Sequence, residues 1–206
     1  MSTISIIGSG GMAAAIGGMA AKAAHTVEVV SRDPAKARAL AGRVGAGATT
    51  ATYGAAPAGD IVILAVPYTS AAAVVADYGD SLGGKVIIDI TNPVASDLSG
   101  LVTPHGSSGA QEIAKGLPAG TPIVKAFNTI FGHVLAKGGH LDAFIAADDA
   151  KAKASVSTFL ESLGLRPFDI GGLHMAQTLE ALGLMMIGLA RNGVGTWDFA
   201  MNVDLG

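Results

Sequence analysis

The sequence has 206 residues, which suits one domain of ordinary size, or one domain with a modest appendage. Half of the residues are hydrophobic and 14% are charged, and the formal net charge of −3 gives no reason to expect a nucleic-acid partner. The sequence contains no cysteine, which excludes disulfides, thiolate metal sites and cysteine nucleophiles and suits a cytoplasmic protein.

In chain order, short β-branched runs alternate with helical patterns. Strands are predicted at residues 4–7, 26–30, 48–52, 60–66, 85–90 and 122–127, with one more at 142–147. Helices are predicted at residues 12–24, 34–44, 71–78, 111–115, 150–163 and 173–191, and the longest loop at 96–108. Continuously apolar strands separated by helices indicate a parallel sheet covered on both faces. The predicted fold class is therefore α/β, a doubly wound Rossmann fold with a mostly parallel sheet and a small, mainly helical C-terminal extension.

We expect the Rossmann domain to cover residues 1–147 and the small α/β extension to cover residues 148–206. The most apolar run, 179–190, is too short to span a membrane, and no basic residue precedes the apolar N-terminal run as in a signal peptide. We therefore expect no membrane partner. The run 179–190, with Met185 and Met186, packs either on the sheet or on a partner.

A glycine turn follows the first predicted strand. The residues from Gly8 to Ala13 match the pattern G-x-G-x-x-A and open the first predicted helix, which is the context that the dinucleotide-binding fingerprint requires. The first glycine allows a tight turn, the second lets the backbone approach a pyrophosphate, and the alanine permits close helix packing. The expected pyrophosphate-binding residues are Gly8, Ser9, Gly10, Gly11 and Met12.

The end of the second strand distinguishes NADP from NAD. NAD-binding proteins place an acidic residue about 20 positions after the glycines, where it binds the ribose 2′-hydroxyl. This sequence has Ser31 and Arg32 there, and Lys36 follows one turn into the next helix. Arginine pairs well with a phosphate, so these residues predict NADP, bound through its 2′-phosphate. Asp33 precedes Pro34 and is better explained as a helix N-cap.

The carboxyl ends of the later strands should surround the nicotinamide, because ligands of open parallel sheets lie beyond those ends. Asn92 and Asn128 carry amides that suit a carboxamide or a substrate carbonyl, although each polar or proline residue here also suits the end of a strand. The expected cofactor contacts at these ends are Ala65, Val66, Pro67, Tyr68, Asn92 and Pro93. The expected substrate pocket contains Asn92, Pro93, Asn128, Thr129, Ile130 and Phe131.

Acid–base residues are scarce near this predicted site. The five histidines show no metal-binding spacing, so no metal site is expected. His133 lies nearest the site, and Lys125 falls within the sixth strand, but neither is assigned a catalytic role. Hydride transfer between two ring cofactors needs mainly binding and orientation, which suits such a pocket.

Taken together, these motifs resemble the coenzyme F420-dependent NADP oxidoreductase family along nearly the whole chain. They are the glycine turn, Ser31-Arg32 with Lys36, and the runs 60–67 (DIVILAVP), 90–93 (ITNP) and 125–129 (KAFNT). The resemblance implies a homodimer, a compact C-terminal extension, and a deazaflavin ring stacked on the nicotinamide near residues 128–131 and the C-terminal helices.

Three functions are compatible with these residues. The first is NADPH-dependent hydride transfer with F420 as the second substrate. The second is an NADPH-dependent reductase of a flavin or of a small carbonyl or imine. The third is a redox sensor that binds NADP without catalysis. Trp197 and Phe199 lie either in the pocket or in a dimer interface.

Overall fold

The computed structural model describes residues 2–206 and contains a six-stranded parallel sheet. Its strands are β1 (Thr3–Ile7), β2 (Thr26–Val30), β3 (Thr49–Thr50), β4 (Ile61–Leu64), β5 (Val86–Asp89) and β6 (Ile123–Lys125). Their order is β3-β2-β1-β4-β5-β6, and every neighbouring pair is parallel. The order reverses beside β1, which is where ligands of such sheets bind. The predicted Rossmann fold is confirmed.

Seven α-helices lie within residues 2–206. They are α1 (Gly11–Lys22), α2 (Pro34–Val44), α3 (Tyr68–Tyr78), α4 (Gly109–Ala114), α5 (Gly132–Lys137), α6 (Ala150–Ser162) and α7 (Ala176–Gly188). A 3-10 turn at Leu173–Met175 precedes α7 and a π turn at Leu189–Gly193 follows it, so the single helix predicted at 173–191 is three helical pieces. As expected, the carboxylate of Asp33 caps α2, accepting from Ala35 N at 2.9 Å.

Side chains of the buried strands alternate between two hydrophobic cores. In β4, Ile61 and Ile63 join the core beneath α1, α2 and α6, whereas Val62 and Leu64 join the core beneath α3 and α4. This alternation has the period of two that a strand imposes, and both faces are apolar because helices cover both.

A second sheet of two parallel strands, β7 (Asp142–Ile145) and β8 (Arg166–Asp169), adjoins the first. Lys125 at the end of β6 forms an antiparallel bridge with Ala146 and so links the two sheets. The predicted boundary between residues 147 and 148 falls between β7 and β8, and this division stays a prediction.

Strand β8 and helix α5 were not predicted from the sequence, and the predicted start of α3 is three residues late. β8 contains Pro167, which argues against a strand, but β8 pairs only with β7 and an edge strand tolerates proline. The missed helix α5 has only six residues and no strong periodic pattern. Helix α3 begins at Tyr68 rather than at residue 71, because Pro67, with φ −58°, already directs the chain into the helix.

Within residues 2–206, one helical stretch, Leu173–Gly193, is long and apolar enough to span a membrane by length and composition alone. Leu179, Glu180 and Met186 of this stretch are buried against the rest of the protein. A helix in a protein core also meets these criteria of length and composition. Glu180 is paired with Lys125, as a buried glutamate in a core helix must be.

Candidate functional site

The turn between β1 and α1 has the geometry of a phosphate-binding loop. Gly8 has φ +139°, and a Cβ there would lie 2.0 Å from the carbonyl oxygen of Ala65, so no other residue fits. A Cβ on Gly10 would meet no atom within 4 Å, which leaves open space beside the backbone. The helix α1 that begins at Gly11 has 12 residues and points its free N–H groups at this space.

The first cleft lies beside this turn, where the sheet order reverses, and has a volume of about 370 Å³. Arg32 and Lys36 are exposed at the rim of this cleft. The Nζ atom of Lys36 lies 4.0 Å from Oδ2 of Asp33, in a loose ion pair. The structure brings nine of the predicted cofactor residues together in its walls: Gly8, Ser9, Gly10, Ser31, Arg32, Lys36, Ala65, Val66 and Pro67. An anionic group that enters the cleft therefore meets two cations and a turn of free backbone N–H groups, beside the single carboxylate of Asp33, which caps α2.

Tyr53 also lines the first cleft and was missed by the sequence analysis. It follows β3 in a loop, where a single aromatic residue carries no signal of function. Its hydroxyl donates to Asp77 at 2.7 Å, and its ring packs edge-on against Tyr78. These two contacts hold the ring in place, and burial, followed by the hydrogen bond to Asp77, raises the pKa of Tyr53 to about 12.

A second cleft, of about 290 Å³, lies beyond the carboxyl ends of β5 and β6 and beneath α7. The structure brings together here the predicted pocket residues Asn92, Asn128, Thr129, Ile130 and Phe131. The other lining residues are Met12, Ile90, Phe127, Gly132, Gly183, Met186, Ile187 and Trp197. None of these lining residues is titratable, so the walls offer apolar surface, aromatic faces and amides.

Three predicted residues line neither cleft, and one of them, Gly11, begins α1 between Gly10 of the first cleft and Met12 of the second. Pro93 is buried behind the wall, where its carbonyl accepts from Val102 N at 2.8 Å. Tyr68 packs on α4 instead. A Cβ on Gly109, the first residue of α4, would lie only 3.0 Å from the Tyr68 ring. The glycine turn joins the clefts instead, since Gly10 lines the first and Met12 lines the second.

A strained turn shapes the second cleft. Phe127 is fully buried and has φ +61°, and Asn128 N donates to the carbonyl of Ala126 at 2.8 Å, which closes a three-residue γ-turn. A positive φ at a bulky residue costs about 1–3 kcal/mol and persists where surrounding structure enforces it. The turn reverses the chain directly after β6, so the following residues line the cleft.

Asn92 and Asn128 form a pair of amides in the cleft wall. Asn128 Nδ2 donates to Asn92 Oδ1 at 2.9 Å and to the carbonyl of Leu179 at 2.8 Å, while Asn92 Nδ2 donates to the carbonyl of Asn128 at 2.8 Å. A Cβ on Gly183 would lie 2.6 Å from Asn92 Oδ1, so α7 needs glycine there. Asn128 Oδ1 and Thr129 Oγ1 are buried without a hydrogen-bond partner in residues 2–206.

Aromatic side chains close the outer side of the second cleft. The ring of Phe131 packs edge-on against Trp197 at 5.2 Å and against Phe199 at 5.6 Å between centroids. Trp197 lines the cleft and is 44% exposed. Of the two locations considered from the sequence, the structure places Trp197 in the pocket.

Three buried charges lie behind the second cleft. Lys125 Nζ donates to Asp89 at 2.8 Å, to Glu180 at 2.9 Å and to the carbonyl of Thr91 at 2.6 Å, and the three charged side chains have no exposed surface. Asp89 and Glu180 were not singled out from the sequence. A signal was present, because each is a lone charge in an apolar stretch and such a charge needs a partner.

The fold and these two clefts define an NADP-dependent oxidoreductase of the Rossmann class. Residues 3–93 match the family described as NADP oxidoreductase, coenzyme F420-dependent. The F420-dependent NADP reductase of Methanothermobacter marburgensis is 31% identical over 176 residues, which is 81% of this chain and 74% of that protein. The chain therefore belongs to the coenzyme F420-dependent NADP oxidoreductase family.

Other known proteins share the sequence or the fold. Metalloreductase STEAP3 of Rattus norvegicus is 29% identical over 190 residues, but the chain spans only 37% of that protein's length. The solved structure of a protein assigned as an F420-dependent NADP-reductase from Arthrobacter sp. FB24 has a TM-score of 0.88 at 25% identity, covering 99% of this chain and 100% of that chain. A reductive aminase from Aspergillus terreus in complex with NADPH shares the fold, with a TM-score of 0.72 at 24% identity over 93% of this chain and 63% of that chain.

Proposed function

We propose that this protein transfers a hydride between NADPH and the deazaflavin coenzyme F420. The observation that carries the proposal is the second cleft, whose lining contains aromatic, apolar and amide groups but no titratable side chain. Reduction of a carbonyl or an imine usually needs an acid to protonate the substrate. A planar ring needs instead apolar and aromatic surface that holds it in position, and the lining of the second cleft supports this proposal.

The residues present fit NADP(H). Gly10 leaves open space beside the N-terminus of α1, where a pyrophosphate is held by backbone N–H groups, and Arg32 and Lys36 suit the 2′-phosphate. Because Gly10 and Met12 line different clefts, one dinucleotide reaches both. When bound, NADPH supplies the hydride, and the acceptor takes up that hydride together with one proton from solvent, leaving NADP⁺.

The amide pair is proposed to orient the nicotinamide in the second cleft. Asn128 Oδ1 and Thr129 Oγ1 are buried acceptors without a partner in residues 2–206, and a small shift of the neighbouring wall residues would present them to a carboxamide N–H or to a polar edge of a ring. Since Asn128 Nδ2 already donates to Asn92 and Leu179, the Asn128 amide is held in one orientation. The pair thus gives the pocket a fixed acceptor without an acid or base.

The test is oxidation of NADPH by the purified protein with F420, followed at 340 nm and near 420 nm, with FMN, FAD and a cyclic imine in parallel. We expect loss of both absorbances with F420 and slower turnover with the other acceptors. Turnover with a flavin or an imine but not with F420 would refute the proposal that F420 is the hydride acceptor. Tight NADPH binding without oxidation by any acceptor would favour a redox sensor.

We also propose that the protein forms a homodimer and is cytoplasmic. The outer face of α7 is apolar, with Met185 46% exposed, and it offers a surface for a second copy. Light scattering of the purified protein tests the dimer, and a monomeric mass at micromolar concentration would refute it.

A further inference from the structure

The cluster of Asp89, Lys125 and Glu180 contains two carboxylates and a single ammonium, all without exposed surface. Both carboxylates accept hydrogen bonds from backbone N–H groups as well as from the ammonium. Asp89 accepts from Thr91 N and from Lys125, while Glu180 accepts from Gly109 N, Ala110 N and Lys125. Counted from its side chains, the cluster has a formal charge of −1, and none of the three side chains has exposed surface.

This charge lies directly behind the wall of the second cleft. Asp89 precedes the lining residue Ile90, Lys125 comes two residues before the lining residue Phe127, and Glu180 is one helical turn before the lining residue Gly183. The field of the cluster reaches neighbouring groups. Burial, and then the negative charges of Glu112, Glu180 and Asp89, raise the pKa of the Tyr68 hydroxyl.

Hydride donation changes the charge of the nicotinamide ring from neutral to positive. A fixed negative charge near the ring stabilises the oxidised, cationic form more than the reduced form. We infer that the buried Asp89–Lys125–Glu180 cluster acts as an electrostatic element that selectively stabilises the nicotinamide cation, in addition to tying α7 to the sheet. This inference rests on the proposed function, which puts the nicotinamide in the second cleft.

A mechanical role and an electrostatic role predict different binding data. A loosened wall weakens NADP⁺ and NADPH by a similar factor, whereas loss of a negative charge weakens NADP⁺ selectively. One unit charge acting across roughly 10 Å at an effective dielectric constant of about 20 changes a binding constant by about ten-fold. The informative quantity is therefore the ratio of the two dissociation constants.

The experiment is calorimetric titration of the full chain with NADP⁺ and, separately, with NADPH. For Glu180→Gln we expect the ratio Kd(NADP⁺)/Kd(NADPH) to rise about ten-fold above the wild-type value. Asp89→Asn removes the same charge from the sheet side and should move the ratio in the same direction, so either variant suffices if the other fails to fold. The control is Glu161→Gln, an exposed change of the same type on α6, which should leave the ratio unchanged.

The outcomes separate this inference from the proposed function. A ratio that is unchanged in Glu180→Gln or Asp89→Asn, with both affinities reduced equally, would overturn the electrostatic role and leave hydride transfer intact. Wild-type protein that binds neither nucleotide would instead refute the proposed function itself.

Discussion

Arg32→Ala is the sharpest test of how this chain recognises NADP(H). The guanidinium lies at the rim of the first cleft, is exposed, and has no ion-pair partner among residues 2–206. Its removal therefore leaves no buried charge behind and should not disturb the fold. The nearby carboxylate of Asp33 is already engaged in capping α2.

The size of the effect follows from a hydrogen bond between charged groups. Such a bond contributes about 1.5–3 kcal/mol, which corresponds to an affinity loss of about 10- to 100-fold. The exposure of Arg32 favours the lower part of that range, because water and salt screen an exposed pair. The loss should therefore shrink as the ionic strength rises.

The assay is fluorescence titration of NADPH and NADH into wild-type protein, Arg32→Ala and Arg38→Ala. Arg38 is an exposed arginine of the same helix region that does not line the cleft, so its removal makes the same change in net charge. We expect Arg32→Ala to weaken NADPH alone and Arg38→Ala to weaken neither nucleotide by more than about two-fold. Equal loss of NADPH and NADH affinity in Arg32→Ala, or equal effects of the two substitutions, would refute the assignment of Arg32 to the 2′-phosphate.

Three other perturbations test the remaining parts of the site. Gly10→Ala should fold normally but bind NADPH at least about ten-fold more weakly, because the added Cβ enters the space beside α1. The control is Gly18→Ala, whose Cβ also has no close neighbours and which should bind NADPH normally. Equal NADPH affinity in the two variants would contradict the assignment of the glycine turn to phosphate binding. Trp197→Ala should raise the KM for F420 about 2- to 10-fold in steady-state kinetics, because it removes an aromatic wall of the pocket. The affinity for NADPH should stay unchanged and serves as the internal control. An unchanged KM for F420 would contradict a contact between Trp197 and the acceptor. Asp142→Asn should lower the Tm by roughly 5 °C at pH 7. The Arg166 guanidinium lowers the pKa of Asp142, so this stabilisation is present above the ordinary value of 3.8 and is lost as the pH falls through the lower folded value; a Tm difference that persists in acid would contradict the ion pair.

Much of the lining of the candidate cofactor cleft could be predicted because its signals are local. The glycine turn, the cap at Asp33 and the cations after β2 each lie within a few residues of one another, and their meaning depends on a strand followed by a helix. Topology then brings the ends of β1, β2 and β4 to one edge, as parallel strands require. The conformation of Phe127 could not be predicted, because a positive φ at a bulky residue is enforced by packing and not by local preference.

The sequence by itself determined the fold class, the dinucleotide turn and the choice of NADP, since each is written in short-range patterns. Only the tertiary structure decided that Asp89, Lys125 and Glu180 meet, since they come from two strands and a distant helix. It likewise decided that Trp197 lines the pocket beside Phe131. The physical reason is that a lone buried charge or an isolated aromatic residue shows that a partner is needed, whereas the identity of that partner depends on how the helices pack on the sheet.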